Sequence, residues 1–242
     1  MKKIFTIIFI LLDVVCYSQK LYEFDYIIEY EVSLFKDSIR PKKNRHRVNN
    51  NNYKRYYLIN SKQNEYFAVI YEKDSLNYQL IFDDHKRKVH SKSIALKSDL
   101  NDADLIEMNC KNVFKSMNGL KTKDYDFLNL KDTLINNKSL SLYKYNLKNQ
   151  KKRKRKKIGS YYYIIDKSSN FNLPLFVHPN LFEKWQLNNK ISIGFIKEKY
   201  YKDYYEKLRF TEKFVGFIKT DKKIYIPKSC GLTELIIDIN LK

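Results

Sequence analysis

Tyr22-Glu23-Phe24-Asp25-Tyr26-Ile27-Ile28-Glu29-Tyr30-Glu31-Val32-Ser33-Leu34 is the stretch that decides the fold. Tyr22, Phe24, Tyr26, Ile28, Tyr30, Val32 and Leu34 alternate with Glu23, Asp25, Ile27, Glu29, Glu31 and Ser33, and Ile27 is the one apolar residue among those partners. Side chains on a strand point to opposite faces in turn, so this period of two puts a wet face and a dry face on an extended chain. A helix would scatter the same apolar residues around its axis. The run exceeds an ordinary strand, which predicts a bend within a strongly curved sheet.

Outward from this stretch, short strand candidates recur between polar turns. A polar loop over 36–52 ends in four consecutive asparagines, Asn49 to Asn52. Short strands are then predicted at 53–59, 65–72, 78–83 and 87–96, with polar turns between them. Such spacing reads as an antiparallel meander of hairpins. Residues 98–120 read as a crossing segment with a short helix near Lys111–Met117. Strands resume at 124–130, 139–147 and 160–166, and again at 191–201, 206–219, 222–226 and 233–239. Leu181, Phe182 and Trp185 stand at helical spacing within 179–188, with Asn180 as a candidate cap. The expected fold class is all-β with minor helix: a curved antiparallel meander, an incomplete barrel around one or two short helices. No internal repeat or Pro/Gly-rich linker divides the chain, so residues 19–242 are expected to form a single β-rich domain.

Residues 1–18 read as a secretory signal. Lys2 and Lys3 precede the apolar run from Ile4 to Leu12, and Cys16-Tyr17-Ser18 places small side chains before Gln19. A membrane span needs about 20 apolar residues, so this run is too short to remain as an anchor. The chain is therefore expected to be exported, periplasmic or secreted rather than cytoplasmic, and to begin at Gln19 once processed. That leaves 224 residues, enough for one medium domain. Cys110 and Cys230 then remain as an even pair in an oxidising compartment, and a disulfide between them is expected.

The net charge is +20, and its position matters more than its size. Residues 36–55 carry +7, and Lys151-Lys152-Arg153-Lys154-Arg155-Lys156-Lys157 carries another +7. The other 197 residues of the processed chain carry only +5. The run 151–157 is expected to be a solvated loop at a hairpin tip, and its functional reading is contact with an anionic surface such as membrane phosphates. Nucleic-acid binders interleave basic residues with aromatic ones, whereas this run is charge alone. Nucleic acid is therefore not expected as a partner.

Chemistry-bearing motifs are sparse. The sequence contains no phosphate-cradling Gly-rich loop, no Gly-x-Ser-x-Gly elbow and no HExxH. His85 and His90, with Asp83 and Asp84, come nearest to a metal cluster, but an offset of five along one strand sends the two rings to opposite faces. No cofactor, metal ligand or catalytic residue is assigned. Trp185 and its apolar neighbours read as a helix packed on a sheet, with a ligand pocket as the alternative.

The long first strand, the meander, and the ending Gly194-Phe195-Ile196 with Lys222-Lys223-Ile224-Tyr225-Ile226-Pro227 resemble periplasmic proteins of the LolA/LolB-like type and the related GLPGLI-type families. The resemblance is one of pattern over most of the processed chain. It implies an incomplete antiparallel barrel around short helices, with a cavity for acyl chains. Function is accordingly read as an exported envelope protein that binds lipid or acyl chains. The alternatives are a structural or surface-interaction envelope protein without a cavity, and a hydrolase with a scattered acid pair. An empty apolar cavity favours the first, a filled core the second, and two opposed carboxylates in an open cleft the third.

Overall fold

The computed structural model describes residues 20–35, 52–115, 124–130, 132–135, 138–168, 174–188 and 194–230. The signal-like segment 1–18, most of the basic loop 36–51 and the strand expected at 233–239 lie outside them.

The stretch 22–34 folds as two strands, β1 (Lys20–Glu23) and β2 (Tyr26–Leu34), in different sheets. The break falls at Phe24-Asp25, where the backbone turns to new partners. Phe24 N–H donates to Lys222 O, and Asp25 N–H donates to Ile59 O, both at 3.0 Å. The Asp25 carboxylate accepts from the Ser61 amide at 2.7 Å and from its hydroxyl at 2.5 Å. The expected bend is thus a corner at which one strand leaves its sheet for a second one.

From β2 the chain runs through β3 (Asn52–Asn60), β4 (Gln63–Glu72), β5 (Asn77–Asp84) and β6 (Val89–Leu96) as consecutive antiparallel hairpins. A short helix α1 (Lys97–Asp102) leads to β7 (Leu105–Glu107) and, after a 3-10 turn at Cys110–Asn112, to β8 (Val113–Lys115). Of the helix expected near Lys111–Met117, Lys111 and Asn112 lie in that 3-10 turn, Val113–Lys115 are a strand, and residues 116–117 lie outside the described residues. Val113 and Phe114 suit a strand, and β8 pairs with the edge of β6 instead.

The second half holds β9 (Tyr125–Asn129), β10 (Thr133–Ile135), β11 (Lys138–Leu147) and helix α2 (Gln150–Lys156). It continues with β12 (Ser160–Asp166), helix α3 (Pro179–Asn188), β13 (Phe195–Lys202), β14 (Leu208–Lys219) and β15 (Lys223–Ile226). Strands β11 to β14 form a further antiparallel run, and β14 pairs with β2, joining the halves into one twelve-stranded sheet. This sheet is open, with β10 and β8 at its ends. Bulges at Ile164/Ile165, Tyr201/Lys202 and Phe214/Gly216 bend it along β12 to β14. The three-stranded sheet β1-β15-β7 is separate, and its β15–β7 pairing is parallel.

Strand β4 shows how the layers stack. Tyr66, Ala68 and Ile70 point to one face, and Phe67 and Val69 to the other, and all five are buried. On the first face the small sheet and α1 supply Tyr22, Phe24, Ile224, Ile226 and Leu100, which pack against Leu58, Leu80 and Phe82. On the second face residues 174–188 lie across the large sheet, with Leu175, Val177, Leu181 and Phe182 turned towards it.

Candidate functional site

The floor of the site comes from the second face of the large sheet. Inward positions of β3, β12, β13 and β14 bring Arg55, Tyr57, Tyr161, Tyr163, Lys199 and Phe210 to one surface. Its roof is the segment 174–178 together with the start of α3. Pro179 occupies the first helical position, one residue before the expected Asn180 cap; there its fixed φ suits the helix and its missing N–H leaves no orphan donor. His85 pins the roof down: its buried ring hydrogen-bonds through Nε2 to the Phe176 carbonyl at 2.7 Å and lies against Phe67 and Phe182. Burial pushes its pKa down, so at neutral pH the ring is uncharged and Nε2–H is the donor.

A roof of fifteen residues cannot cover so wide a sheet, and space remains beside it. Three cavities of about 350, 910 and 260 Å³ lie there, and His178 lines each of them. The first shares Arg55 and Val177 with the second, and Tyr161, Leu181 and Tyr201 with the third. These shared walls make one branched cleft, with volumes typical of small-molecule sites. Ile158 and Gly159 line the third cavity. No side chain fits at Gly159, because a Cβ there would meet Lys202 O at 2.1 Å. That close approach brings this edge of the cleft against β13.

One charged group lies fully buried in the floor. Glu212, on β14, is 0% exposed and accepts from Tyr57 Oη at 2.6 Å. It is ion-paired to Lys199 of β13 and, at 3.3 Å, to Arg55 of β3. Arg55 Nη2 also donates to Tyr53 Oη at 2.6 Å. Burial alone would raise the Glu212 pKa, but Lys199 and Arg55, with hydrogen bonds from Lys199 and Tyr57, outweigh it and hold the carboxyl below its usual range. Burial and the adjacent Glu212 push the Tyr57 hydroxyl far up, so it remains a donor.

None of these three charged residues stands out in the sequence by motif or spacing. Their trace is parity: Glu212 falls between Phe210 and Phe214, and Arg55 between Tyr53 and Tyr57, at positions where alternation demands an apolar side chain. Reading that trace requires knowing which face is buried.

The residues singled out from sequence fall elsewhere. Cys110 and Cys230 are joined, with Cα atoms 4.6 Å apart, linking the turn before β8 to the turn after β15 on the filled side of the molecule. The basic run sits between the paired strands β11 and β12, but it is a helix rather than an open loop. Lysine and arginine are good helix formers, Asn149 caps the start by accepting from the Lys152 amide, and Lys157 ends it in the left-handed conformation. Lys152 pairs with Asp124 and Arg153 with Glu206, which offsets part of the repulsion. Lys151, Lys154, Arg155, Lys156 and Lys157 are exposed. Trp185 packs against Phe176 and Phe182. His90 pairs with Asp83 at 2.7 Å, while Asp84 faces the other core and accepts from Tyr22 Oη at 2.8 Å. Among the described residues no group of three metal-type donors converges.

Two carboxylates line the largest cavity, and they do not oppose each other. Asp83 lies opposite Phe67 in register, five residues along β4 from Glu72, which is a separation of about 17 Å at ~3.4 Å per residue. Each is already paired, Asp83 with His90 and Glu72 with Lys97. This arrangement does not offer a hydrolytic acid pair.

No family model matches the chain, and no curated protein matches it in sequence. Among solved structures, an outer membrane lipoprotein-sorting protein domain from Vibrio parahaemolyticus is similar, at 10% identity and a TM-score of 0.31, covering 81% of this chain and 85% of that one. A DUF1329 family protein from Desulfovibrio piger is similar at 11% identity and a TM-score of 0.31, covering 96% and 91%.

Proposed function

We propose that this chain is an exported envelope protein that holds the apolar part of a lipid or other acyl-chain amphiphile in the cleft beneath residues 174–188. One observation carries the reading: the sheet buries a packed core on one face, yet leaves a branched cavity walled by Tyr161, Tyr163, Leu175, Val177 and Leu181 on the other. Close packing is the rule in protein interiors, and a cavity of this size left unfilled forfeits dispersion contacts all along its walls. An occupant restores them. Native mass spectrometry of the protein purified after export tests the reading, with an adduct of lipid mass expected that is lost on denaturation. A protein that carries no adduct, and that takes up neither dodecanoate nor dodecanol, ends it.

The basic helix extends this reading. Lys157 is followed directly by Ile158 and Gly159, which line the third cavity. Exposed cations next to that wall suit docking on anionic lipid, each contributing about 1 kcal/mol near such a surface, so that an amphiphile passes between cleft and bilayer. Replacing Lys151, Lys154, Arg155 and Lys156 by Gln should abolish sedimentation with phosphatidylglycerol vesicles at low salt and leave phosphatidylcholine vesicles unaffected. Unchanged sedimentation removes the helix from the mechanism. In the same reading residues 1–18 are removed on export and 19–242 act as one domain. N-terminal sequencing should then find Gln19, and an intact Met1 or a lipid-modified Cys16 would contradict it.

A further inference from the structure

We infer that the cleft selects amphiphiles with an anionic head group, bound by Arg55 and Lys199; this rests on the cleft being an amphiphile site. The floor holds two cations against one carboxylate. Glu212 is fully buried, whereas the Lys199 and Arg55 side chains are 16% and 21% exposed and both line the 350 Å³ cavity. Glu212 therefore lies beneath the two cations, and a net charge of +1 faces the space above. Among the described residues no carboxylate lines that cavity. Asp83 and Glu72, on the wall of the adjoining cavity, are held by His90 and Lys97.

Hydrogen bonds hold the two cations in place. Arg55 uses Nη1 on Glu212 and Tyr57, and Nη2 on Tyr53, which fixes the guanidinium in the floor, and its charge is shared with one carboxylate that Lys199 also pairs. Guanidinium and ammonium groups side by side match a carboxylate or a phosphate, since the first offers a planar fork and the second a point charge. Around them Tyr161, Tyr163, Leu175 and Val177 give the apolar surroundings in which a charge-assisted bond gains strength and in which an alkyl chain continues from the head.

The ligand arms of the test use chains of one length: dodecanoate, dodecyl phosphate and dodecanol, each below its micelle concentration, near neutral pH and at low salt. The wild-type protein should bind the better of the two anions at least about tenfold more tightly than the alcohol, about 1.4 kcal/mol. Whichever anion binds more tightly identifies the head as carboxylate or phosphate. Lys199→Met leaves Arg55 and Glu212 as a balanced pair, so it should fold, and the preference for the anion should fall to within about threefold, about 0.7 kcal/mol. Lys199→Arg should restore it. Equal binding of anion and alcohol by the wild type, or a preference that survives Lys199→Met, overturns the inference and leaves the apolar cleft standing. Binding of none of the three probes removes the cleft reading itself.

Discussion

The two faces of strands β3 to β5 are built from the same alternating residues and end in opposite states. On one face Leu58, Ala68, Leu80 and Phe82 are 0% exposed and meet a second sheet that covers them completely. On the other, Tyr57 and Phe67 are as deeply buried, yet Val69 and Ile81 line open space beneath a narrow roof. The difference lies in the cover. The small sheet and α1 lie directly over these strands, and their side chains pack with them into one cluster. A ten-residue helix with a short lead-in spans only part of a twelve-stranded surface. Where the cover is complete the face stabilises the fold, and where it is partial the face becomes a site.

The largest expected effect concerns the disulfide, which lies at the filled side. It closes a loop with a sequence separation of 120 residues, worth roughly 5 kcal/mol in the chain-entropy model. Cys110→Ser with Cys230→Ser should lower the melting temperature sharply, while dodecanoate affinity measured well below that temperature is unchanged. Lost affinity at low temperature would mean that the two faces are coupled. On the same side, Phe82→Ala should cost about 3–5 kcal/mol in urea unfolding, because the rigid second sheet cannot collapse into the space.

The charged floor gives an effect of similar size with a pH signature. Glu212→Gln leaves Arg55 and Lys199 uncompensated and should cost about 3–5 kcal/mol at neutral pH. The folded pKa of Glu212 is depressed, so its contribution is complete above about 4.5 and is lost as pH falls through the folded value. Wild type and variant should therefore converge in acid, and parallel curves would show that the carboxylate is not ionised in the fold. His85, also depressed by burial, makes the wild type lose stability from about pH 6.5 downwards, since the unfolded chain binds the proton more readily. His85→Phe should flatten that part of the curve.

The smallest effects separate the faces most cleanly. Ala68→Leu overpacks the filled side and should cost about 1–3 kcal/mol. Val177→Leu, at the cleft wall, should leave stability unchanged or raise it by about 0.5–2 kcal/mol while weakening dodecanoate binding. Equal destabilisation by both substitutions would mean that the cleft closes in solution.

Most strands were legible because their signals are local: β3 to β5, β11 and β12 are short runs rich in aromatic and aliphatic residues between polar turns, and α3 lies where Leu181, Phe182 and Trp185 share a helical face. The helical state of the basic run was less legible, since like charges argue against a helix until Asp124 and Glu206 are brought beside it from segments remote in sequence. The break at Phe24-Asp25 was equally hidden, because alternation continues through it and only the bonds to Lys222, Ile59 and Ser61 interrupt it. The site itself was not legible. Arg55, Lys199 and Glu212 are 144 and 13 residues apart in sequence and meet only through β14, which pairs with both β13 and β2.

By itself the sequence determined most of the strands, the two faces of the stretch 22–34, and the positions of the charge runs and of Cys110 and Cys230, since each follows from neighbours a few residues apart. Tertiary structure alone decided which face is filled and which is hollow, that the first strand divides between two sheets, and that two cations share one buried carboxylate. These depend on pairings between segments remote in the chain, and a period of two is the same whichever cover a face receives.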